Sequence, residues 1–248
     1  MEKVQEHLSG RMQAIAGMVL PGKRLCDVGC DHAYLSIALV YAGTFSSALA
    51  TDLRPGPLSR AKENIKKAGL SEQIQTRLSD GLSAVLPGEC DTILIAGMGG
   101  ALIARILAEG SGVLLFNASG REGEAKPPVL VLQPQSDVSA LRRYLMNAGY
   151  TIDAEDMVFE DGKYYSMMRA VLEKKAHPYD ETELLCGPCL IADKNPVLLS
   201  FLKRRISADE TILKKLSSRP TDARILERRK ELSFELSLYR SALERMTV

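Results

Sequence analysis

Between Arg24 and Gly149 the hydrophobic pattern switches repeatedly from short apolar runs to helical spacing, and this alternation constrains the fold more than any other feature of the chain. It predicts strands over 24–29, 45–51, 73–78, 92–96 and 129–133, and helices over 33–42, 57–68, 100–109 and 136–148. Strand-helix-strand connections of this length close as right-handed crossovers, so consecutive strands lie parallel. Leu94-Ile95-Ala96 and the run from Val129 to Gln133 are almost wholly apolar, as strands covered on both faces are. Gly43, Gly69, Gly110 and Gly149 each follow the last residue of an expected helix, where a left-handed cap is wanted. The fold class is therefore α/β, a mostly parallel sheet between helices.

The flanks differ. Val4, Leu8, Met12, Ile15, Ala16 and Val19 recur at helical spacing up to Pro21-Gly22, which predicts an amphipathic N-terminal helix within 1–20. Runs at 150–155 and 164–172 flank Glu160-Asp161-Gly162-Lys163, and Asp-Gly between apolar runs favours a hairpin, so the sheet should end in an antiparallel pair. Residues 111–128 read as an irregular loop. From Pro196 onward only helical spacing remains, with a break at 217–220, which predicts an antiparallel, coiled-coil-like helical hairpin. Two domains are expected, 1–175 and 176–248.

At 46% apolar and 25% charged residues the composition is that of a globular chain, not a disordered or fibrous one. No run reaches the roughly 18 uncharged apolar residues of a membrane span, and the first residues, MEKVQEHLSGR, lack a signal-peptide core. Five cysteines are too few and odd in number for a disulfide scaffold; with the missing leader they lead us to expect a cytoplasmic protein, and separately a monomer is expected. The net charge of +1 hides an asymmetry: from Pro196 on there are 12 Lys and Arg against 7 Asp and Glu, a balance of +5, leaving −4 for the rest. A basic tail on an acidic body suits either a polyanionic partner or a solvated helix face. Cys186-Gly187-Pro188-Cys189 has redox or zinc spacing, but it does not follow a first strand and no second cysteine pair completes a tetrahedral site. No metal is expected.

In an open α/β sheet, ligands bind beyond the carboxyl ends of the strands. Those ends carry Asp27 to Tyr34, Asp52-Leu53-Arg54, Ser79-Asp80-Gly81, Gly97-Met98-Gly99-Gly100 and Gln133-Pro134-Gln135. The first resembles a dinucleotide fingerprint with its later glycines missing and Asp31 in the loop. A carboxylate there repels a pyrophosphate and attracts a cation. Three acids at successive strand ends suit a phosphate-free nucleoside cofactor carrying an ammonium group, S-adenosyl-L-methionine. Asp27 or Asp31 would face the ammonium, Asp52 the ribose hydroxyls and Asp80 the adenine amino group. Asp52 lies 25 residues after Asp27, close to the roughly 20-residue spacing of a ribose-binding acid. Gly97 to Gly100 would let backbone approach a planar substrate at the sulfonium end.

DVGCDHAYL, LSGRMQAIA, ATDL, SDGL, IAGMGG, VLQPQ, EDGKYY and CGPCL together resemble the bacterial tRNA (adenine-22-N1)-methyltransferases, from about Leu8 into the basic hairpin. The resemblance implies a Rossmann-like class I methyltransferase domain with a C-terminal helical hairpin, S-adenosyl-L-methionine as cofactor and tRNA as partner. It implies a cofactor pocket of Arg11, Asp27, Gly29, Cys30, Asp31, His32, Tyr34, Asp52, Leu53, Asp80, Gly81, Ala96, Gly97 and Met98. Asp31, Met98, Gly99 and Gln133 would position the target base, with Tyr34, Met98 and Tyr165 as packing partners. Lys203, Arg204, Arg205, Lys214, Lys215, Arg219, Arg228 and Arg229, beside Arg224 and Lys230, would hold phosphates. The chain departs from the family pattern at Gln135, where Asn is expected, and at Ala96, where Cys is common. Alternative readings are a methyltransferase of this fold acting on a protein or small molecule, and a non-catalytic cofactor- or tRNA-binding module.

Overall fold

Five parallel strands and an antiparallel hairpin build the sheet in the computed structural model, which describes residues 8–115, 126–173, 178–217 and 222–247. The chain divides into two compact units, Met1–His177 and Pro178–Val248. In the first, helix α1 (Gly10–Met18) precedes β1 (Gly22–Val28), α2 (Tyr34–Tyr41), β2 (Phe45–Asp52), α3 (Pro55–Lys67), β3 (Ile74–Leu78) and β4 (Thr92–Met98). Then come α4 (Gly100–Glu109), α5 (Ser111–Leu114), β5 (Val129–Pro134), α6 (Val138–Asn147), β6 (Tyr150–Glu160) and β7 (Lys163–Leu172). The part of the N-terminal helix expected before Leu8 lies outside the described residues; α1 starts after Ser9, whose hydroxyl accepts from Met12 N–H at 3.3 Å.

The strand order is β3-β2-β1-β4-β5-β7-β6, parallel from β3 to β5 and antiparallel at β7 and β6. The order reverses between β1 and β4, so a crevice opens beyond the carboxyl ends of these two strands. Ile93, Leu94, Ile95, Leu130, Val131 and Leu132 are all fully buried, as strands covered on both faces require. Leu94, Val131 and Met167 join Ile15, Ile37 and Leu58 in the core under α1, α2 and α3, while α4 and α6 pack on the sheet from β4, β5 and β6. Asp161 and Gly162 have φ of 50° and 77° between the paired Glu160 and Lys163, the two-residue turn that Asp-Gly favours.

Two expectations change. Gly43, Gly69 and Gly149 take the left-handed cap, but Gly110 has φ −84°. A Cβ there would stand 2.9 Å from the Cβ of Leu82 and 3.0 Å from the carbonyl of Ile106, so close packing rather than backbone handedness excludes a side chain. The 111–128 stretch opens with α5, and residues 116–125 lie outside the described ones.

The second unit is more than a hairpin. Asp180 begins a capping box, accepting from Glu183 N–H at 2.9 Å while the Glu183 carboxylate accepts from Asp180 N–H at 2.9 Å. This starts α7 (Glu181–Cys186), and Gly187 then turns the chain into α8 (Pro188–Ala192). The Cys-Gly-Pro-Cys motif is thus a helix-helix corner with Pro188 at a helix start. α9 (Pro196–Ser217) and α10 (Ala223–Thr247) run antiparallel: Phe201 meets Tyr239 edge-to-face at 6.0 Å, and Arg205 pairs with Glu235 at 3.5 Å.

Candidate active site

The β1–α2 connection is shaped by three left-handed residues in alternation, Gly29, Asp31 and Ala33, with φ of 72°, 49° and 58°. Gly29 and Cys30 N–H both donate to the carbonyl of Thr51 on β2, which draws the loop across the switch point. Asp31 N–H reaches the Asp52 carboxylate at 3.3 Å, and Arg54 N–H reaches its other oxygen at 2.9 Å. Asp52 is therefore held by two backbone donors at the end of β2, with lone pairs left for a diol.

Asp27, one residue before the end of β1, is 4% exposed, with Ser36 Oγ donating to its carboxylate at 2.7 Å. Burial pushes its pKa up to about 6, against the lowering effect of Ser36, and the charge of Asp52 adds to the rise. Cys30 is half surrounded by carboxylates: burial first, then Asp27, Asp52 and Asp31, push its thiol well above the ordinary range, so it stays protonated and is no nucleophile. His32 and Tyr34 stack with centroids 5.5 Å apart, and Asn64 donates to the His32 carbonyl at 3.1 Å. His32 thus orders the loop.

These strand ends enclose a cavity of about 570 Å³, within the size range of cofactor sites. All fourteen residues expected at the cofactor, from Arg11 to Met98, line it. Of the four expected to position the base, Asp31 and Met98 line the cavity, whereas Gly99 and Gln133 do not. Gln133 is fully buried and both ends of its amide are used: Oε1 accepts from Arg11 Nη1 at 2.7 Å and from Gly97 N–H at 3.2 Å, and Nε2 donates to the Pro134 carbonyl at 2.8 Å. These bonds tie α1 and the Gly97 turn to β5. Arg11 also lies over the Tyr165 ring, 5.1 Å from its centroid, and its N–H donates to Glu160 at 3.2 Å. Tyr165 is a platform for Arg11, and it is not among the lining residues.

The lining also holds residues the sequence reading passed over: Met12 and Ile15 from α1, and Leu102, Arg105 and Ile106 from α4. Their helical spacing reads equally as core; only the Gly99-Gly100 turn, which aims α4 past the cavity, hinted otherwise. Gly100 permits that turn, since a Cβ would stand 2.5 Å from the carbonyl oxygen of Asp137 and 2.7 Å from that of Ser136.

On the second unit, Lys203, Arg204, Lys214, Lys215, Arg224, Arg228 and Lys230 are exposed, while Arg229 is half-buried. Arg205 is engaged within the hairpin, 3.0 Å from the fully buried Asp209, 3.5 Å from Glu235 and over the Tyr239 ring. Arg228 pairs with Glu231 at 2.9 Å, and Arg219 lies outside the described residues. Among the described residues no cluster of His, Cys, Asp and Glu suits a metal ion, and no helix is long and apolar enough to cross a membrane.

The residues present fit S-adenosyl-L-methionine: a buried carboxyl, a strand-end carboxylate with lone pairs to spare, and glycines along the cavity wall. A family model described as tRNA (adenine(22)-N(1))-methyltransferase matches residues 25–237. The tRNA (adenine(22)-N(1))-methyltransferase of Bacillus subtilis is 33% identical over 96% of this chain and 97% of its own. A Streptococcus pneumoniae protein described as a putative tRNA (m1A22) methyltransferase, solved in complex with S-adenosyl-L-methionine, is 33% identical with a TM-score of 0.80 over 95% of this chain and 99% of that one. An uncharacterised Listeria monocytogenes protein superposes with a TM-score of 0.88 at 30% identity, covering 96% and 100%. A family model matching most of the chain and relatives that agree with it in sequence and fold over nearly the whole length lead to one conclusion: this chain belongs to the tRNA (adenine(22)-N(1))-methyltransferase family.

Proposed function

We propose that the protein transfers the methyl group of S-adenosyl-L-methionine to N1 of adenine 22 in tRNA. The observation that carries this reading is the ring of carboxylates, Asp27, Asp31, Asp52 and Asp80, on one cavity at the switch point of a chain in this family. When bound, the cofactor supplies a methyl carbon on a sulfonium; the adenine N1 lone pair takes that carbon while the C–S electron pair stays with the departing thioether. N1 bears no proton, so no general base is needed before transfer, and positioning supplies most of the acceleration. Positive charge passes from sulfur to the ring, and the acids lining the cavity stabilise it throughout. Gly97 and Met98 form the wall beside the base, with Gly97 N–H held by Gln133 so that the turn keeps its shape. The base must leave its stack or tertiary pair to enter.

Asp27 gives this reading a pH signature. In the free protein its raised pKa favours the protonated form, so its stabilising contribution to folding is present below about pH 4 and is lost as pH rises through about 6. An ammonium group needs the ionised form, so cofactor binding expels the proton below pH 6. Affinity measured by calorimetry should fall about tenfold from about pH 7 to about pH 5, and Asp27→Asn should bind weakly with that slope removed. An unchanged slope in the variant would take Asp27 out of the ammonium site.

The basic hairpin would grip tRNA through phosphates, without reading sequence. With about five contacts, the association constant should drop by two to three orders of magnitude between about 50 and 200 mM salt. Changing Lys214 and Lys215 together to Ala should flatten the log–log slope by about 2. A salt-independent affinity would remove the hairpin from the interface.

A further inference from the structure

Resting on the reading above, we propose that Gln135 is the residue that recognises the target base as adenine, through its N6/N7 edge. Gln135 follows β5, is exposed and lines the cavity. Its backbone is fixed, N–H donating to the Met98 carbonyl at 2.8 Å, which couples it to the wall beside the base. Its side-chain amide stands over Gly97: a Cβ on that glycine would lie 3.7 Å from Gln135 Nε2. No hydrogen bond holds this amide among the described residues. Gln133, two residues earlier, is the opposite case, fully buried with both its amide oxygen and its amide nitrogen hydrogen-bonded within the protein. One carboxamide is thus structural and the other is presented to the cavity, at the turn where the base must sit.

The chemistry of the reaction decides which edge such an amide takes. N1 has to face the methyl group, so a residue that recognises adenine through N1 would block the transfer. A carboxamide can instead accept from N6–H and donate to N7, a bidentate match that leaves N1 free. Guanine offers two acceptors on that edge, O6 and N7, and mismatches the carbonyl end of the amide. Gln135 thereby fixes both the identity of the base and the direction in which its nucleophile points.

Single-turnover methylation of tRNA with adenine or 7-deazaadenine at the target position tests this. The second base lacks the N7 acceptor, and comparing the ratio of the two rates between proteins cancels its altered N1 basicity. That ratio should be about tenfold higher for the unaltered protein than for Gln135→Ala. Gln135→Glu should lower it further, because its carboxylate oxygen would face the N7 lone pair. The ratio is internal to each variant, so partial misfolding does not imitate the result. Equal ratios in all three proteins, with methyl transfer intact, would overturn the role of Gln135 alone. No transfer to either RNA by the unaltered protein would overturn the functional reading and this inference with it.

Discussion

Replacing Glu155 with Leu while leaving Arg142 in place is expected to lower the unfolding free energy of the first unit by about 3–5 kcal/mol. The Arg142 and Glu155 side chains are 1% and 0% exposed and meet at 2.8 Å, joining α6 to β6. The single change takes away the carboxylate that the buried Arg142 guanidinium meets, and the cost is that of breaking a buried charge pair by removing one partner. Changing both residues to Leu should restore most of the loss, because the pair itself spends much of its attraction on desolvation. Urea unfolding of the single and the double variant measures this. A single-variant loss below about 1 kcal/mol would mean that water reaches the pair.

Asp52→Ala should weaken S-adenosyl-L-methionine binding by about a hundredfold or more. Two hydroxyl donors to a charged acceptor contribute about 1.5–3 kcal/mol each. The change also frees Asp31 N–H and Arg54 N–H, so part of the effect is loop disorder. Asp52→Asn separates the two, since its carbonyl keeps one backbone donor while the charge is gone; about a tenfold loss is expected there. Calorimetry with the cofactor gives both values. Full affinity in the Asn variant would show that the ribose site lies elsewhere.

How far these effects were legible in the sequence depends on their range. Asp52 was legible, because a strand-end acid needs only the period of β2 and a spacing from Asp27 to be placed. The β6–β7 turn was legible for the same reason, Asp161-Gly162 being a local rule. Arg142 and Glu155 were not: a helix and a strand separated by a turn bring them together, and no periodicity states that both point inward. Gln133 misled because a strand-end position fixes the place of a residue and not its side-chain direction. Its amide turns into the sheet to meet Arg11, which belongs to a helix more than a hundred residues earlier. Gly110 carried the right residue for another reason, since a cap and a close packing contact both exclude Cβ. The α7–α8 corner was signalled by Asp180 and Glu183, a local capping pattern that was passed over in favour of the cysteines between the two helices.

The measurement that bears most directly on the account is mapping of the transferred methyl group. Purified protein, methyl-labelled S-adenosyl-L-methionine and unmodified tRNA are incubated, and the RNA is digested and analysed by mass spectrometry. The account predicts one 1-methyladenosine per tRNA, at position 22. Label on another base or position, label only on a protein or small molecule, or cofactor binding with no transfer into tRNA would contradict it.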